Sequence, residues 1–170
     1  MAVTRERSSE EFEGWYRVAW PRVVSAVSMV CRDRDLACEA AAEAFARALE
    51  RWGSVSRMES PEGWTYVVAV NLLRRRRYRA GLERRAVALA DRSTRSLVEP
   101  DESAELWHLV LNLPKRERTA IALRYGLGLT ESEIARTLGV APGTVAATLN
   151  HGRARLRSAL IDPDEEVRHG

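Results

Sequence analysis

Apolar residues recur along this chain at three- and four-residue spacing, the period of an amphipathic α-helix. Phe12, Trp15, Tyr16 and Ala19 follow an S-x-x-E capping box at Ser8–Glu11, which predicts a helix start there. Pro21 is expected to kink or restart that helix, because proline lacks an amide donor and crowds the preceding turn. Val23, Val24, Val27 and Val30 continue the stripe. Asp33-Arg34-Asp35 predicts a turn and an N-cap. A second helix is expected over about 36–52, with Cys38, Ala41, Ala42, Phe45, Leu49 and Trp52 as its apolar stripe. Glu39, Glu43, Arg47 and Glu50 form another face, within which Glu43 and Arg47 are a favourable i,i+4 pair. After a loop at 53–60, Ser60-Pro61 predicts a third helix, with Ser as N-cap and Pro in its first position. That helix carries Trp64, Tyr66, Val67, Val68, Val70, Leu72 and Leu73 and ends in Arg74, Arg75, Arg76, Arg77, Tyr78 and Arg79.

The pattern weakens over about 80–101, which reads as a basic flexible linker, partly helical around 82–89. It resumes with Leu106, Trp107, Val110 and Leu111. Leu113-Pro114 starts a further helix through Ile121 and Leu123 to Tyr125. Thr130–Glu133 is a second capping box, with Ile134, Ala135 and Leu138 as the buried face behind it. Gly139 suits a helix end that needs positive φ. A last helix is expected from Pro142 to about Leu160, with Val145, Leu149, Leu156 and Leu160 inward. The fold class is therefore all-α, in two small helical domains at 8–80 and 102–161 joined by a linker at 81–101.

Composition narrows what such a chain can do. Its 170 residues carry a net charge of +3, and the sole lysine, Lys115, stands against 26 arginines. Between Arg74 and Arg95 nine arginines face only Glu83 and Asp91, a local charge of +7, so the charge is strongly polarised. No apolar run approaches the ~20 residues of a membrane span, and residues 1–13 hold no signal-peptide core. Membrane insertion is not expected and the expected location is cytoplasmic. Cys31 and Cys38 are too few for a disulfide framework, and buried packing suits them better than metal ligation. His108, His151 and His169 are scattered, no Cys/His group has zinc spacing, and no phosphate-cradling glycine motif occurs. No enzyme, cofactor or metal is expected.

Two segments carry candidate chemistry. Two helices joined by about three residues with a glycine, at 130–156, have the spacing of a helix-turn-helix. In that motif the outer face of the second helix enters the major groove. Here that face presents Thr144, Ala147, Thr148, His151 and Arg155, with Arg153 and Arg157 able to neutralise phosphates. An ordinary helical hairpin has the same spacing. The tetra-arginine run reads either as a solvated helix end complementing the helix dipole or as a nucleic-acid footprint. Trp64, Tyr66 and Tyr78 nearby could stack on unpaired bases. Taken alone, Trp64 suits a core better than a base platform, and the Glu39/Glu43/Arg47 face suits a solvated surface.

Together these residues resemble the extracytoplasmic-function (ECF) sigma factors of bacterial RNA polymerase, within the sigma-70 family. The resemblance runs from about Phe12 to Leu160. It is strongest in Leu113-Pro114-Lys115-Arg116-Glu117-Arg118, Leu123-Arg124-Tyr125, Glu133-Ile134-Ala135, Leu138-Gly139-Val140 and Gly143-Thr144-Val145, which fit the promoter-binding C-terminal domain, sigma-4. Glu39, Glu43, Phe45, Pro61, Trp64, Asn71 and the arginines after it resemble sigma-2 more loosely. The resemblance implies a promoter-specificity subunit that binds core RNA polymerase and directs initiation at −10 and −35 elements. It implies that Glu39, Glu43, Arg47 and Glu50 meet the β′ clamp helices, with the β flap as a further contact. Residues 53–60, Trp64, Asn71, Arg74, Arg75, Arg76, Arg77 and Tyr78 would capture the −10 strand. Thr144, Ala147, Thr148, His151, Arg153 and Arg155 would read the −35 duplex, and an anti-sigma factor is an implied partner. Members often carry Lys-Ser-Arg where this chain has Ala146-Ala147-Thr148, and a Ser-type N-cap where it has Ala141. A degenerate sigma acting as a polymerase-binding adaptor, and a stand-alone LuxR-type helix-turn-helix regulator, are the alternative readings.

Overall fold

The computed structural model describes residues 2–31, 33–86 and 108–161, and the side chains of 8–31, 33–76 and 108–161. Among these residues the secondary structure is entirely helical. Helix α1 (Ala2–Ser28), α2 (Arg34–Glu50), the single turn α3 (Trp52–Val55) and α4 (Pro61–Ala86) come first. Helical residues 108–112 lead to α5 (Lys115–Ile121), which widens into a π-helical turn over Ala122–Gly126. Helices α6 (Glu131–Leu138) and α7 (Pro142–Ile161) complete the chain. Of the expected linker, residues 81–86 continue α4, whereas 87–101, together with Leu106 and Trp107, lie outside the described residues.

Helix α1 departs from expectation at two places. It begins at Ala2, so Ser8 and Glu11 lie inside it rather than at its start. The residues before Ser8 include arginine and glutamate, good helix formers that extend the element. Pro21 does not interrupt it either. Pro21 is exposed, so the carbonyl four residues back, at Arg17, loses its helical donor on the solvent side, where water replaces it.

The α2 start agrees with its capping residue: the Asp33 carboxylate accepts a 3.0 Å hydrogen bond from the Leu36 amide. Its buried stripe, however, is Ala37, Ala40, Ala41, Ala44, Phe45 and Ala48. Of the expected stripe only Ala41, Phe45 and Trp52 are buried; Ala42 and Leu49 are exposed, and Cys38 is half-buried. The alanine side lets α2 lie close against α4 and α1, and a helix pair is held at shorter distance by smaller contact residues. Phe45 is the one large group on that side, ringed by Trp15, Tyr16 and Trp20 at centroid distances of 5.2, 5.0 and 5.5 Å. At α4, the Ser60 hydroxyl accepts from the Gly63 amide at 3.1 Å, the cap the sequence predicts.

In the C-terminal helices the capping box at Thr130 is complete. The Thr130 hydroxyl accepts from the Glu133 amide at 3.3 Å, and the Glu133 carboxylate accepts from the Thr130 amide at 2.7 Å. The Thr130 hydroxyl also donates to the Glu133 carboxylate at 2.7 Å, and this bond, followed by the one from the Thr130 amide, holds the Glu133 carboxyl below its ordinary range. Gly139 ends α6 at φ +66°, the left-handed conformation that favours glycine. Val145 and Leu149 of α7 are buried and Leu156 is partly buried, but Leu160 is 61% exposed. Ile161, the final helical residue, is exposed as well.

The two sets of helices share one core. Val23, Ala26, Val27 and Tyr66 from α1 and α4 belong to the same buried cluster as Leu123, Leu127, Ile134 and Leu149. Helix α1 packs against the π turn, and α4 against α6. Gly126 faces Ala26 across this core: a Cβ there would sit 2.8 Å from the Ala26 Cβ and 2.9 Å from its Cα. Only glycine permits that approach. The Arg22 guanidinium donates to the Leu127 carbonyl across the same seam.

Candidate polymerase and nucleic-acid surfaces

On α2, Glu39 and Glu50 are exposed and Glu43 and Arg47 half-buried, all turned away from the alanine stripe. Arg47 donates to Glu43 at 2.6 Å. The face is also joined to the arginine run: Arg76 of α4 is ion-paired with Glu39 and lies 3.7 Å from Glu43. This arginine therefore balances two of the face's carboxylates. Arg74, Arg75 and Asn71 are exposed on α4, and Arg74 and Arg75 make no ion pair among the described residues. The side chains of Arg77 and Tyr78 lie outside the described residues. Long aliphatic stems and cationic heads in this arrangement can bind phosphates at low sequence selectivity.

Trp64 and Tyr66 diverge. Trp64 is half-buried, packed beside Ala48, Trp52 and Val55 and lining a cleft of 260 Å³. Glu59 and Val67 share that cleft with Glu133, Arg136 and Thr137 of α6. Tyr66 is only 1% exposed, so it is a core residue here and presents no face for stacking. The ring takes the inward position of α4 next to Ala69 and Leu73, which helical spacing does not distinguish from the outward one. Its hydroxyl finds no hydrogen-bond partner of good geometry, although the Thr119 side chain lies beside it. Burial pushes the phenol well above its ordinary pKa.

A buried hydroxyl left unpaired is desolvated without return. Tyr66→Phe is accordingly expected to leave the urea-unfolding free energy equal or higher. A loss of more than ~1 kcal/mol, the net worth of a typical hydrogen bond, would show that the hydroxyl is bonded after all.

The outer face of α7 presents Thr144, Ala147, His151 and Arg155 exposed, with Thr148 and Arg153 half-buried. The Thr148 hydroxyl turns back to donate to the Thr144 carbonyl at 2.7 Å. Arg153 donates to the Tyr125 hydroxyl at 2.8 Å and lies 5.9 Å from that ring's centroid. Arg155 pairs with Glu117 at 3.2 Å. Sequence reasoning did not place Tyr125 and Glu117 in this role, because the contacts join helices 28 and 38 residues apart and leave no local spacing to read. They fix the directions of the two arginines. Among the described residues no group of three His, Cys, Asp or Glu side chains could hold a metal, and no helix is long and apolar enough to cross a membrane.

Among the described residues, the last two helices meet through a left-handed glycine, with arginines anchored along the second. Residues 103–156 match the family Sigma-70, region 4. Over 52 residues the chain is 46% identical to an RNA polymerase sigma-F factor of Kitasatospora aureofaciens, covering 31% of this chain and 18% of that protein. It is 29% identical over 167 residues to an uncharacterized protein of Rhizobium meliloti (strain 1021), covering 87% of this chain and 39% of that one. The chain thus spans less than half the length of either relative. Its fold resembles that of the sigma factor RpoE of Bartonella quintana, solved in complex with the anti-sigma factor NepR. The TM-score is 0.75 at 16% identity, over 89% of this chain and 97% of that one. The family match covers the C-terminal segment 103–156, and the fold as a whole resembles that of a sigma factor.

Proposed function

We propose that this chain is a promoter-specificity subunit that binds core RNA polymerase and directs initiation at −10 and −35 elements. The observation that carries the reading is the coincidence of the α6–Gly139–α7 pair with the region 4 match at 103–156. In this reading α6 and α7 are a helix-turn-helix and α7 enters the major groove of the −35 duplex, its N-terminal residues nearest the bases. Thr144, Ala147, Thr148 and His151 face the base edges, and Arg153 and Arg155 approach phosphates. The Glu39/Glu43/Arg47/Glu50 face binds the β′ clamp helices, while the Trp64 cleft, Asn71, Arg74 and Arg75 hold the opened −10 strand. Helices α1–α4 act as the sigma-2 unit and the helices after residue 102 as the sigma-4 unit, in the cytoplasm. The RpoE fold match, to a chain solved with an anti-sigma factor, supports an anti-sigma partner here.

One observation favours a second reading. The first two turns of α7 offer no cation, and Ala146 and Ala147 stand where a lysine and a serine are common. A polymerase-binding adaptor with weak −35 contact would have this face. In vitro transcription with purified core RNA polymerase, this protein and sheared DNA of its source organism, with transcript 5′ ends mapped, separates the two. Discrete starts that share upstream elements are the expected result. Polymerase binding without discrete starts would favour the adaptor, and no polymerase binding would remove both.

A further inference from the structure

The π-helical turn at Ala122–Gly126 has a buried and an exposed side. Ala122 and Leu123 are buried, and Gly126 closes on Ala26. Tyr125 stands out from the same turn, 58% exposed. Such widened turns are frequent at functional sites. Helix α7 comes close to this region through Gly152. That glycine is buried inside a helix, a placement its backbone freedom makes unfavourable. A Cβ on it would lie 3.2 Å from Ile121 Cγ1 and 3.4 Å from the Glu117 Cβ. The close approach sets Arg153 against Tyr125. Arg153 is held at two points by neutral groups: Nε donates to the Tyr125 hydroxyl at 2.8 Å, and an Nη donates to the Asn150 side-chain carbonyl at 3.3 Å. Other arginines of these helices are matched by carboxylates, Arg136 by Glu59 and Arg155 by Glu117. Arg153 has no ion pair among the described residues, so its charge is not cancelled within the fold.

We propose that Tyr125 and Arg153 form a binding site for one backbone phosphate of duplex DNA, the Tyr125 hydroxyl donating to a phosphate oxygen while it positions the guanidinium beside it. This inference rests on the function proposed above and deepens it. The Tyr125 oxygen accepts from Arg153, and among the described residues nothing accepts its own proton. Most of the guanidinium's donors stay free as well. A neutral O–H beside cationic N–H groups suits an anionic oxygen, and hydrogen bonds to such an oxygen are the strong ones. Tyrosine orients the cation without cancelling it, whereas a carboxylate in its place would do both. Asn150 lies one helical turn beyond Ala147 and next to His151, so the site borders the face proposed to meet base edges. A contact of this kind fixes where α7 sits along the duplex and carries no sequence information itself.

The test uses the full chain assembled with core polymerase. The probe is a duplex carrying only the upstream element shared by the starts mapped in the transcription experiment, and its affinity is measured across KCl concentrations. Each phosphate contact contributes about 0.9 to the slope of log affinity against log salt. Arg153→Gln is expected to weaken binding about fivefold or more and to flatten the slope by about that one contact. Arg153→Lys keeps a point charge without the planar fork, so it should hold the slope yet bind about threefold more weakly. Tyr125→Phe keeps the ring and loses the hydroxyl. It should weaken binding about threefold in the parent and cost nothing further in the Arg153→Gln background, the non-additivity of a shared contact. Thermal melting followed by circular dichroism is run on every variant. A merely structural role for Tyr125 would lower the melting temperature and add its loss to that of Arg153→Gln. Should Tyr125→Phe disturb folding, Tyr125→Leu takes its place in the cycle. Parental affinity in the folded Tyr125 variant, or a fully additive loss, would overturn the proposal while leaving the sigma-factor reading intact. So would an unchanged slope in Arg153→Gln. A parent protein that gives no discrete starts would overturn both.

Discussion

Phe45→Ala is expected to destabilise the protein by about 3–5 kcal/mol, the range for truncating a buried phenylalanine. Phe45 is 2% exposed and is the only large side chain on the buried side of α2. Its ring contacts Trp15, Tyr16 and Trp20 together, one of them edge-on at 84°. Aromatic pairs of this kind add to simple area burial. The alanines on either side cannot move in to fill the hole, because their side chains end at Cβ. Leu49→Ala, four residues on, is the control. Leu49 is 51% exposed, so the change is expected to stay within about 0.5 kcal/mol. Urea unfolding followed by circular dichroism measures both. Similar losses at the two positions would put Leu49 back in the core.

Glu39→Arg with Glu43→Arg is expected to weaken core RNA polymerase binding at least tenfold, about 1.4 kcal/mol. The reversal acts twice. It removes the carboxylates proposed to meet the β′ clamp helices, and it sets two new cations against Arg76 and Arg47, which now pair with those carboxylates. Stability should move much less, because exposed ion pairs are worth about 0–1 kcal/mol each. Binding is read by titration against immobilised core polymerase, with unfolding run in parallel. Unchanged affinity with an unchanged fold would reduce the face to solvated surface. Arg76→Ala sharpens the comparison: it frees the same carboxylates and should leave polymerase binding at least as strong as in the parent.

Much of the fold was legible where a local chemical signal exists. Asp33, Ser60 and Thr130 cap the helices they were expected to cap, and Gly139 ends α6 in the left-handed conformation. The register of α2 was not legible. Seven of its seventeen residues are alanines, found on both the buried and exposed sides, so hydropathy gives little contrast between faces. Leu49 and Ala42 then read as core in place of Ala44 and Ala48. Pro21 misled for a different reason: its effect on a helix depends on which side faces water, and that is a property of the packed molecule. At the candidate surfaces, exposed positions such as Glu39, Thr144 and His151 were visible from helical spacing, and Asn71 from the family resemblance alone. The pairings that organise them were not. Arg76 with Glu39, Arg153 with Tyr125 and Arg136 with Glu59 each join separate elements, and nothing in a one-dimensional pattern marks them.

The alanine side of α2 also bears on how the opposite side works. Alanine has no rotamers to lose on burial, so this packing carries almost no side-chain entropy cost. It has no rotamers to exchange afterwards either. Backbones held this close in an interior of crystal-like density yield little to an applied load. Helix α2 is therefore mounted like a stiff rail against α1 and α4, and Glu39, Glu43 and Glu50 keep the pitch of the helix rather than the wandering spacing of a loop. Helix α2 packs on α4, so a partner bound at those carboxylates, as proposed, would sit on the same rigid body as Trp64 and the arginines beyond it.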